Sequence, residues 1–465
     1  MTSDKQPPPS RKSQAPSLPR LVAARVLLSL RLSTTYDASE LLEAQMHTTP
    51  LDPRDARLAT ALVMTALRRS AWLDLQFEDL LSQPIDQLDD RALVILRLAA
   101  AQHTLMDRVP PHAITDDSVR LAQALGMDHY QSGFINAVVR RLTQRSEPNQ
   151  GPADAPDWRC IELSCSLPQW ISRMMLERFT TEDAHALSQA LAQEPTLTLR
   201  ANRLRNTPEE LAETLAGMDI PTEPGLLSPD ALRVTRSGAL AELLASPAFA
   251  EGRFYIQDEA SQAVAMVVAP RSGERILDYC AAPGGKATHL AELGRGEAHI
   301  TAAEISSERT KFLKDNIDRL GSPAIEISTP AGAIAMAGEG YDAVLIDAPC
   351  SALGTLRRHP EVARRLSRAG LRAAGTLQRV IIDSVASVVR PGGRLIYSTC
   401  SFTHLENRDL ISDFLKANPD FHHAPAEAWP EAFQHLRDDG DGHLRTWPTM
   451  PAVDGFEVAM LVRDK

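Results

Sequence analysis

The chain has 465 residues, 43% hydrophobic and 23% charged, with a net charge of −11. That length exceeds one ordinary core and predicts about three domains at roughly 150 residues each. No apolar run approaches the roughly 18 residues of a membrane span, and the acidic excess argues against a protein that coats nucleic acid nonspecifically.

The N-terminus, "MTSDKQPPPSRKSQAPSLPR", carries scattered positive charge and three consecutive prolines but no apolar signal-peptide core. Residues 1–17 therefore read as a disordered tail, and the five cysteines as reduced thiols in a cytoplasmic protein. From 18 to 146 the periodicity is helical throughout. "DARLATALVMTALRR" puts Leu58, Leu62, Thr65 and Ala66 on one face, and "RALVILRLAAAQHTL" and "GFINAVVRRL" repeat the pattern with short connections. Charge is nearly balanced here, 17 basic against 16 acidic side chains over 1–145, so the acidity lies in the remainder. A linker at 147–156, "EPNQGPADAP", follows. Residues 157–250 mix helix with strand-like pieces such as "TLTLRANRL", which predicts a small α+β module.

Beyond 251 strand and helix alternate. Strands are expected to end near Tyr279, Ala303, Ser328, Asp347 and Ser398, with helices at about 286–294, 307–320, 375–390 and 404–416. Apolar strands such as "DAVLID" alternating with amphipathic helices predict a mainly parallel sheet covered on both faces. In such a fold the ligand lies outside the carboxyl ends of the strands.

The chemistry gathers at those ends. In "LDYCAAPGGKATHL" a strand runs into a glycine turn and a helix start, where backbone approaches a ligand closely. It is no P-loop, because Cys280 stands where the first glycine belongs and Ala287, not Ser or Thr, follows the lysine; G-x-G-x-x-G is absent too. Glu304 ends the next strand, 19 residues after Gly285, a spacing at which a carboxylate accepts from ribose hydroxyls. A nucleoside without a pyrophosphate fits this best, and S-adenosylmethionine is the obvious one. A plain tight turn and a solvated glutamate would give the same local pattern.

Two further thiols share that edge. Cys350 lies three residues beyond Asp347 in "YDAVLIDAPCSALGTLRRHPEV", and Cys400 follows the next strand in "YSTCSFTHLEN". Neither belongs to a C-x-x-C pair and no histidine has finger-like spacing, so no metal is expected; Cys160 and Cys165 read as packing thiols. Two exposed thiols and an acid beside a nucleoside site suit addition of a thiolate to carbon 6 of cytosine. That addition activates carbon 5 toward a methyl group, and a base must then remove the carbon 5 proton. The run Arg357–Arg372 holds six arginines and one glutamate, either a solvated face or a nucleic-acid contact.

"CAAPGGK", "DAPCSALGTLRRHP" and "YSTCS" followed by "EN" resemble the motifs of S-adenosylmethionine-dependent RNA (cytosine-5) methyltransferases, and "FYIQDEASQ" resembles the segment leading into their catalytic domain. The helical N-terminus with "GFINAVVRR" resembles the NusB-like RNA-binding domain of the bacterial RsmB (Sun/Fmu) type, which acts on small-subunit rRNA. The resemblance implies a Rossmann-like α/β methyltransferase domain over 251–465, preceded by an all-α NusB-like domain and the α+β module. It further implies a cofactor loop of Cys280, Ala281, Ala282, Pro283, Gly284, Gly285 and Lys286, with Glu304 on the ribose and Asp347 between cofactor and base. Cys400 would be the nucleophile, Cys350 would assist product release, and Arg357, Arg358, Arg364 and Arg365 would grip RNA. Thr329 stands where the family offers an acid toward the adenine. A monomer acting on rRNA, with no membrane and no metal, is expected. The same chemistry on tRNA or another rRNA site, and a catalytically inactive RNA-binding assembly factor, stay open as alternatives.

Overall fold

The computed structural model describes residues 15–32, 37–106, 109–322, 324–438, 440–450 and 453–465. The expected tail lies outside the described residues up to residue 14. The chain forms two compact units, residues 1–192 with 359–365, and residues 193–358 with 366–465. No described helix is long and apolar enough to cross a membrane.

The first unit is helical. Its central helix, Asp90–Thr104, is apolar almost all round ("LVILRLAAA"), and Leu93, Ile95, Leu96 and Leu98 are all buried, as befits a helix enclosed by others. Leu62 and Val63 of Pro53–Arg68, and Ile135 and Val139 of His129–Leu142, share its core. The sequence marks the helix starts. Asp52 caps the first helix of that pair, whose N1 residue is Pro53, and Asp128 with Gln131 forms a capping box on the second. The helices Asp157–Cys165, Gln169–Arg178 and Thr181–Leu191, within the stretch expected to be α+β, group with this unit. So does the short arginine-bearing segment 359–365.

The second unit holds two sheets. Strands β1 (Thr198–Ala201), β2 (Thr222–Pro224), β3 (Ala231–Val234) and β4 (Phe254–Ile256) form an antiparallel sheet in the order β2-β3-β1-β4. The larger sheet contains β5 (Arg275–Asp278), β6 (His299–Ala303), β7 (Ile325–Ser328), β8 (Tyr341–Asp347), β9 (Val389–Thr399), β10 (Phe421–His423), β11 (Leu444–Thr446) and β12 (Phe456–Arg463). Its order is β10-β12-β9-β8-β5-β6-β7, with β11 on β12. The run from β9 to β7 is parallel, and β12 pairs antiparallel with β9 and with β10. Val344, Leu345 and Ile346 of β8 and Leu395 and Ile396 of β9 are fully buried, as continuous apolar runs under two covered faces should be.

The structure differs from the sequence reading in several places; the helix expected over 404–416, for one, runs Arg408–Ala417. The helix expected to start near 375 begins at Arg368, where the Ser367 hydroxyl accepts from the Gly370 amide; Gly370 and Gly375 mask its first turns. The antiparallel additions β10 to β12, which the alternation does not announce, complete one side of the sheet.

Chain order reverses between β5 and β8, which are hydrogen-bonded neighbours: β6 and β7 extend one way, β9 the other. A crevice opens at such a switch point.

Candidate active site

A cavity of about 290 Å³ lies at that switch point, lined by Cys280 to Pro283, Gly285, Lys286 and Asp347. Backbone geometry builds the turn. Gly284 has φ 106°, and a Cβ there would meet Leu313 Cδ1 at 2.9 Å. A Cβ on Gly285 would stand 2.8 Å from the Tyr255 ring. The helix Gly285–Leu293 is anchored by Arg200 of β1, wholly buried, whose Nη1 donates to the Gly285 carbonyl at 2.5 Å and whose Nη2 pairs with Glu292 at 2.6 Å.

Lys286 reaches across the cavity. Its Nζ lies 2.6 Å from Asp347 Oδ2 and 2.9 Å from Ser261 Oγ, over the Phe456 ring. Burial opposes its charge, but Asp347, by charge and hydrogen bond, and then Asp278 hold its pKa above the ordinary lysine value. Ser398 Oγ donates to the other Asp347 oxygen at 2.8 Å. Asp278, at the end of β5, is fully buried, and no side-chain donor reaches either of its oxygens. Burial, then the Asp347 charge, pushes it up to about 7. Cys280 is pushed up to about 12, first by burial and then by the carboxylates of Asp278, Asp347 and Glu304, so it forms a wall of the cavity as an inert thiol.

Beyond the predicted loop, Tyr255, Asp258, Ser261, Asp278, Asp454 and Phe456 are among the residues that line the cavity. The acid closing the apolar strand "RILD" was a readable signal for Asp278. Asp454 and Phe456 come from the distant C-terminal segment and carried none. Lys286 pairs with Asp347, and Arg357 and Arg358 pair with Asp258 and Asp454, so of the four lining carboxylates the buried Asp278 is left unpartnered and suits a ligand that brings its own cationic donors. A cofactor with an ammonium and a sulfonium meets that description.

Glu304 follows β6 directly and is buried. It accepts from the Ser306 amide at 2.9 Å and pairs with Arg309 at 3.1 Å. The Thr329 hydroxyl accepts from the Gly332 amide at 3.1 Å as the N-cap of Pro330–Ala335, a local task that explains a threonine there.

Cys350 and Cys400 stand with their sulfurs 3.2 Å apart, beyond Asp347 at the ends of β8 and β9. The hydrogen bond to Cys400, then burial, then the charges of Cys400 and Glu406 raise Cys350 well above the ordinary thiol value. Two thiols this close resist losing both protons.

The arginines part company. Arg357 is 4% exposed and is bound by Asp454 at 2.5 Å, with Asp258 at 3.7 Å; Arg358 bonds the same two aspartates at 2.5 and 2.8 Å. The expectation that Arg357 grips RNA is corrected: a buried, paired guanidinium holds the cavity wall together and offers no phosphate contact. Arg358 lines the cavity instead. Arg364 and Arg365 end the short helix Val362–Arg365 in the first unit. Desolvation, then the charges of Arg97 and Arg31, draws Arg364 down to about 10, although Asp74 and Asp90, the partners of those two arginines, pull the other way.

Among the described residues two clusters bring metal-ligand atoms together, Asp37–His359–Glu361 and Asp441–His443–Glu457, and neither includes a cysteine. In the second, Arg445 already occupies the carboxylates, 2.9 Å from Glu457.

A doubly wound sheet with a glycine turn and a cavity at its switch point is a Rossmann-like framework, in which ligands lie outside the carboxyl ends of the strands. The signature described as 16S rRNA methyltransferase RsmB/F matches residues 265–462, that of the NusB family residues 17–144, and that of the RsmF/B-like ferredoxin-like domain residues 167–241. The probable ribosomal RNA small subunit methyltransferase B of Synechocystis sp. is 33% identical over 89% of this chain and 92% of its own. The ribosomal RNA small subunit methyltransferase B of Xanthomonas campestris pv. campestris is 32% identical over 96% and 97%. The fold matches the crystal structure of PH0851 with a TM-score of 0.79 at 24% identity, over 98% of this chain and 100% of that one. The chain belongs to the RsmB/F family of 16S rRNA methyltransferases.

Proposed function

We propose that this enzyme methylates carbon 5 of a cytosine in small-subunit rRNA through a covalent bond between Cys400 and carbon 6 of the base. The observation that carries this reading is the pair of thiols 3.2 Å apart beside the Lys286–Asp347 pair at the rim of the cofactor cavity. A methyltransferase acting on an oxygen or an exocyclic nitrogen has no use for two such thiols.

The residues divide the work as follows. Cys280 to Lys286 and Asp278 hold the methionine end of the cofactor, and Glu304 holds its ribose. When bound, S-adenosylmethionine supplies an electrophilic methyl to the activated carbon 5. The Cys400 thiolate adds to carbon 6, while Asp347, held by Lys286 and Ser398, faces the base edge. Electrostatics support Cys350 as the partner that keeps its proton while Cys400 attacks, because the hydrogen bond to Cys400, then burial, then the charges of Cys400 and Glu406 raise it. After transfer the carbon 5 proton must leave to a base, so that the Cys400–carbon 6 bond breaks and the ring regains aromaticity; Cys350 assists that release. The cytosine must leave its stack to meet Cys400. The helical domain over 18–146, with Arg364 and Arg365, supplies RNA affinity, and the α+β module over 157–250 sits between it and the catalytic domain in sequence. The protein works as a monomer in the cytoplasm.

Transfer of labelled methyl from S-adenosylmethionine to unmodified small-subunit rRNA tests the reading. Label is expected in 5-methylcytosine, absent with Cys400→Ala, and accompanied by a trapped protein–RNA adduct with Cys350→Ala. Label in any other base, or full activity of Cys400→Ala, overturns it. Label appearing only in tRNA redirects the substrate and keeps the chemistry. RNA binding without transfer to any RNA leaves the assembly-factor reading.

A further inference from the structure

Glu406, fully buried six residues beyond Cys400 and just before the helix Arg408–Ala417, enters the mechanism above only as a charge near Cys350. Its two oxygens receive five donors from three segments. Oε1 takes the Ser351 amide at 2.7 Å and Gln378 Nε2 at 3.0 Å. Oε2 takes the hydroxyls of Ser351 at 2.6 Å, Ser401 at 2.5 Å and Thr403 at 2.8 Å. Ser351 is the residue after Cys350, and Ser401 is the residue after Cys400. Their hydroxyls also lie 2.9 Å from each other.

A satellite set of bonds stiffens the same junction. The Gly354 amide donates to the Cys400 carbonyl at 2.8 Å. Asn407 Nδ2 donates to the Ser401 and Thr403 carbonyls at 3.0 and 2.9 Å. The Tyr397 hydroxyl donates to the Glu406 carbonyl at 2.8 Å. Each of these bonds touches one loop or fixes Glu406 itself, or joins backbone alone. The Glu406 carboxylate accepts from the residue after each cysteine, so it ties the two loops together beside the direct contact of the Ser351 and Ser401 hydroxyls.

We propose that Glu406 is a positioning residue that sets the Cys350–Cys400 spacing by clamping the residue after each thiol to a single buried carboxylate. The chemistry of the cradle requires a group that accepts at every lone pair. Five donors and no acceptor face it, and a buried acceptor removed from such a set strands its donors. The carboxylate also adds negative charge beside Cys350, which favours the protonated state of that thiol. Glu406 touches neither base nor cofactor in this role; it acts through the two loops. The inference rests on the proposed division of labour between the thiols.

The test reads spacing separately from turnover. Full-length protein is treated with diamide, whose N=N bond takes the two protons and two electrons released as Cys350 and Cys400 join, and disulfide formation is timed by mass spectrometry. Wild type is expected to couple these two thiols readily. Glu406→Gln places an amide N–H against donors, and the coupling rate is expected to fall at least tenfold. Methyl transfer should fall in kcat at unchanged KM for S-adenosylmethionine, because the 280–286 loop is untouched, and Glu406→Asp should recover part of both. Coupling by Glu406→Gln at the wild-type rate overturns the proposal. So does a KM for the cofactor that rises in step with the loss of kcat, the mark of general unfolding of the site. If Glu406→Gln does not fold, Ser401→Ala decides: it removes one hydroxyl, and coupling two- to fivefold slower supports the clamp, whereas an unchanged rate refutes it. Failure of wild type to methylate cytosine strikes the proposed function, and the coupling rates still report on the clamp.

Discussion

The two edges of the switch point are held by different kinds of force. On the cofactor edge the structure rests on backbone and close approach: a positive φ at Gly284, a Tyr255 ring against Gly285, a guanidinium on the Gly285 carbonyl. On the thiol edge it rests on side-chain hydroxyls gathered by Glu406. Sterics give the first edge a shape that rejects added volume. Directional bonds give the second edge a spacing that depends on the one Glu406 acceptor. Cofactor affinity and catalytic competence should therefore fail separately.

Cys400→Ala offers the sharpest separation. Methyl transfer is expected to drop by on the order of 10⁴-fold or more, as for loss of a covalent nucleophile, with S-adenosylmethionine affinity unchanged by calorimetry. A matching loss of affinity would merge the two edges into one unit.

Gly285→Ala attacks the other edge. The new methyl meets a rigid ring 2.8 Å away, and overpacking of that kind costs about 1–3 kcal/mol. Cofactor affinity should weaken by roughly 10–100-fold, while diamide coupling of Cys350 and Cys400 keeps its wild-type rate.

Asp278→Asn sharpens the electrostatic side. The folded chain holds this proton up to about pH 7, whereas an unfolded aspartate loses it near about 3.9. Between those values the folded state binds more protons than the unfolded, so stability falls as pH rises across the window. Without ligand, the variant should match wild type near pH 4 and exceed it at pH 8, by on the order of 4 kcal/mol in urea unfolding. Added S-adenosylmethionine should stabilise wild type at pH 8 far more than the variant. Equal pH slopes for the two proteins would remove Asp278 from the account.

Arg364→Ala lies outside both edges and has the smallest expected effect. Small-subunit rRNA binding should weaken less than about tenfold, with the log–log salt slope shallower by about one phosphate contact. Turnover at saturating RNA should stay at the wild-type level.

Much of this was legible in the chain. The glycine turn, Glu304, Asp347 and the two thiols all follow apolar strands, and a parallel sheet brings its strand ends to one edge whatever the loops do. Arg357 was misread because its neighbours in sequence are basic, while its actual partners, Asp258 and Asp454, lie 99 residues before it and 97 after it. Charge runs report exposure only when no remote carboxylate claims them. Asp454 and Phe456 were invisible for the same reason: their place depends on β12 entering between β9 and β10, and no local pattern announces an antiparallel addition.

Sequence alone determined the class of chemistry, since residue type and position after a strand decide which groups can gather at the switch point. It also determined the buried central helix of the first unit and its neighbours' caps, which are local matters of periodicity and hydrogen bonding. Tertiary structure decided which thiols touch, which carboxylates go unpartnered and which arginines are spent on internal pairs. Those outcomes depend on distances between segments far apart in the chain, and burial then turns each distance into a protonation state.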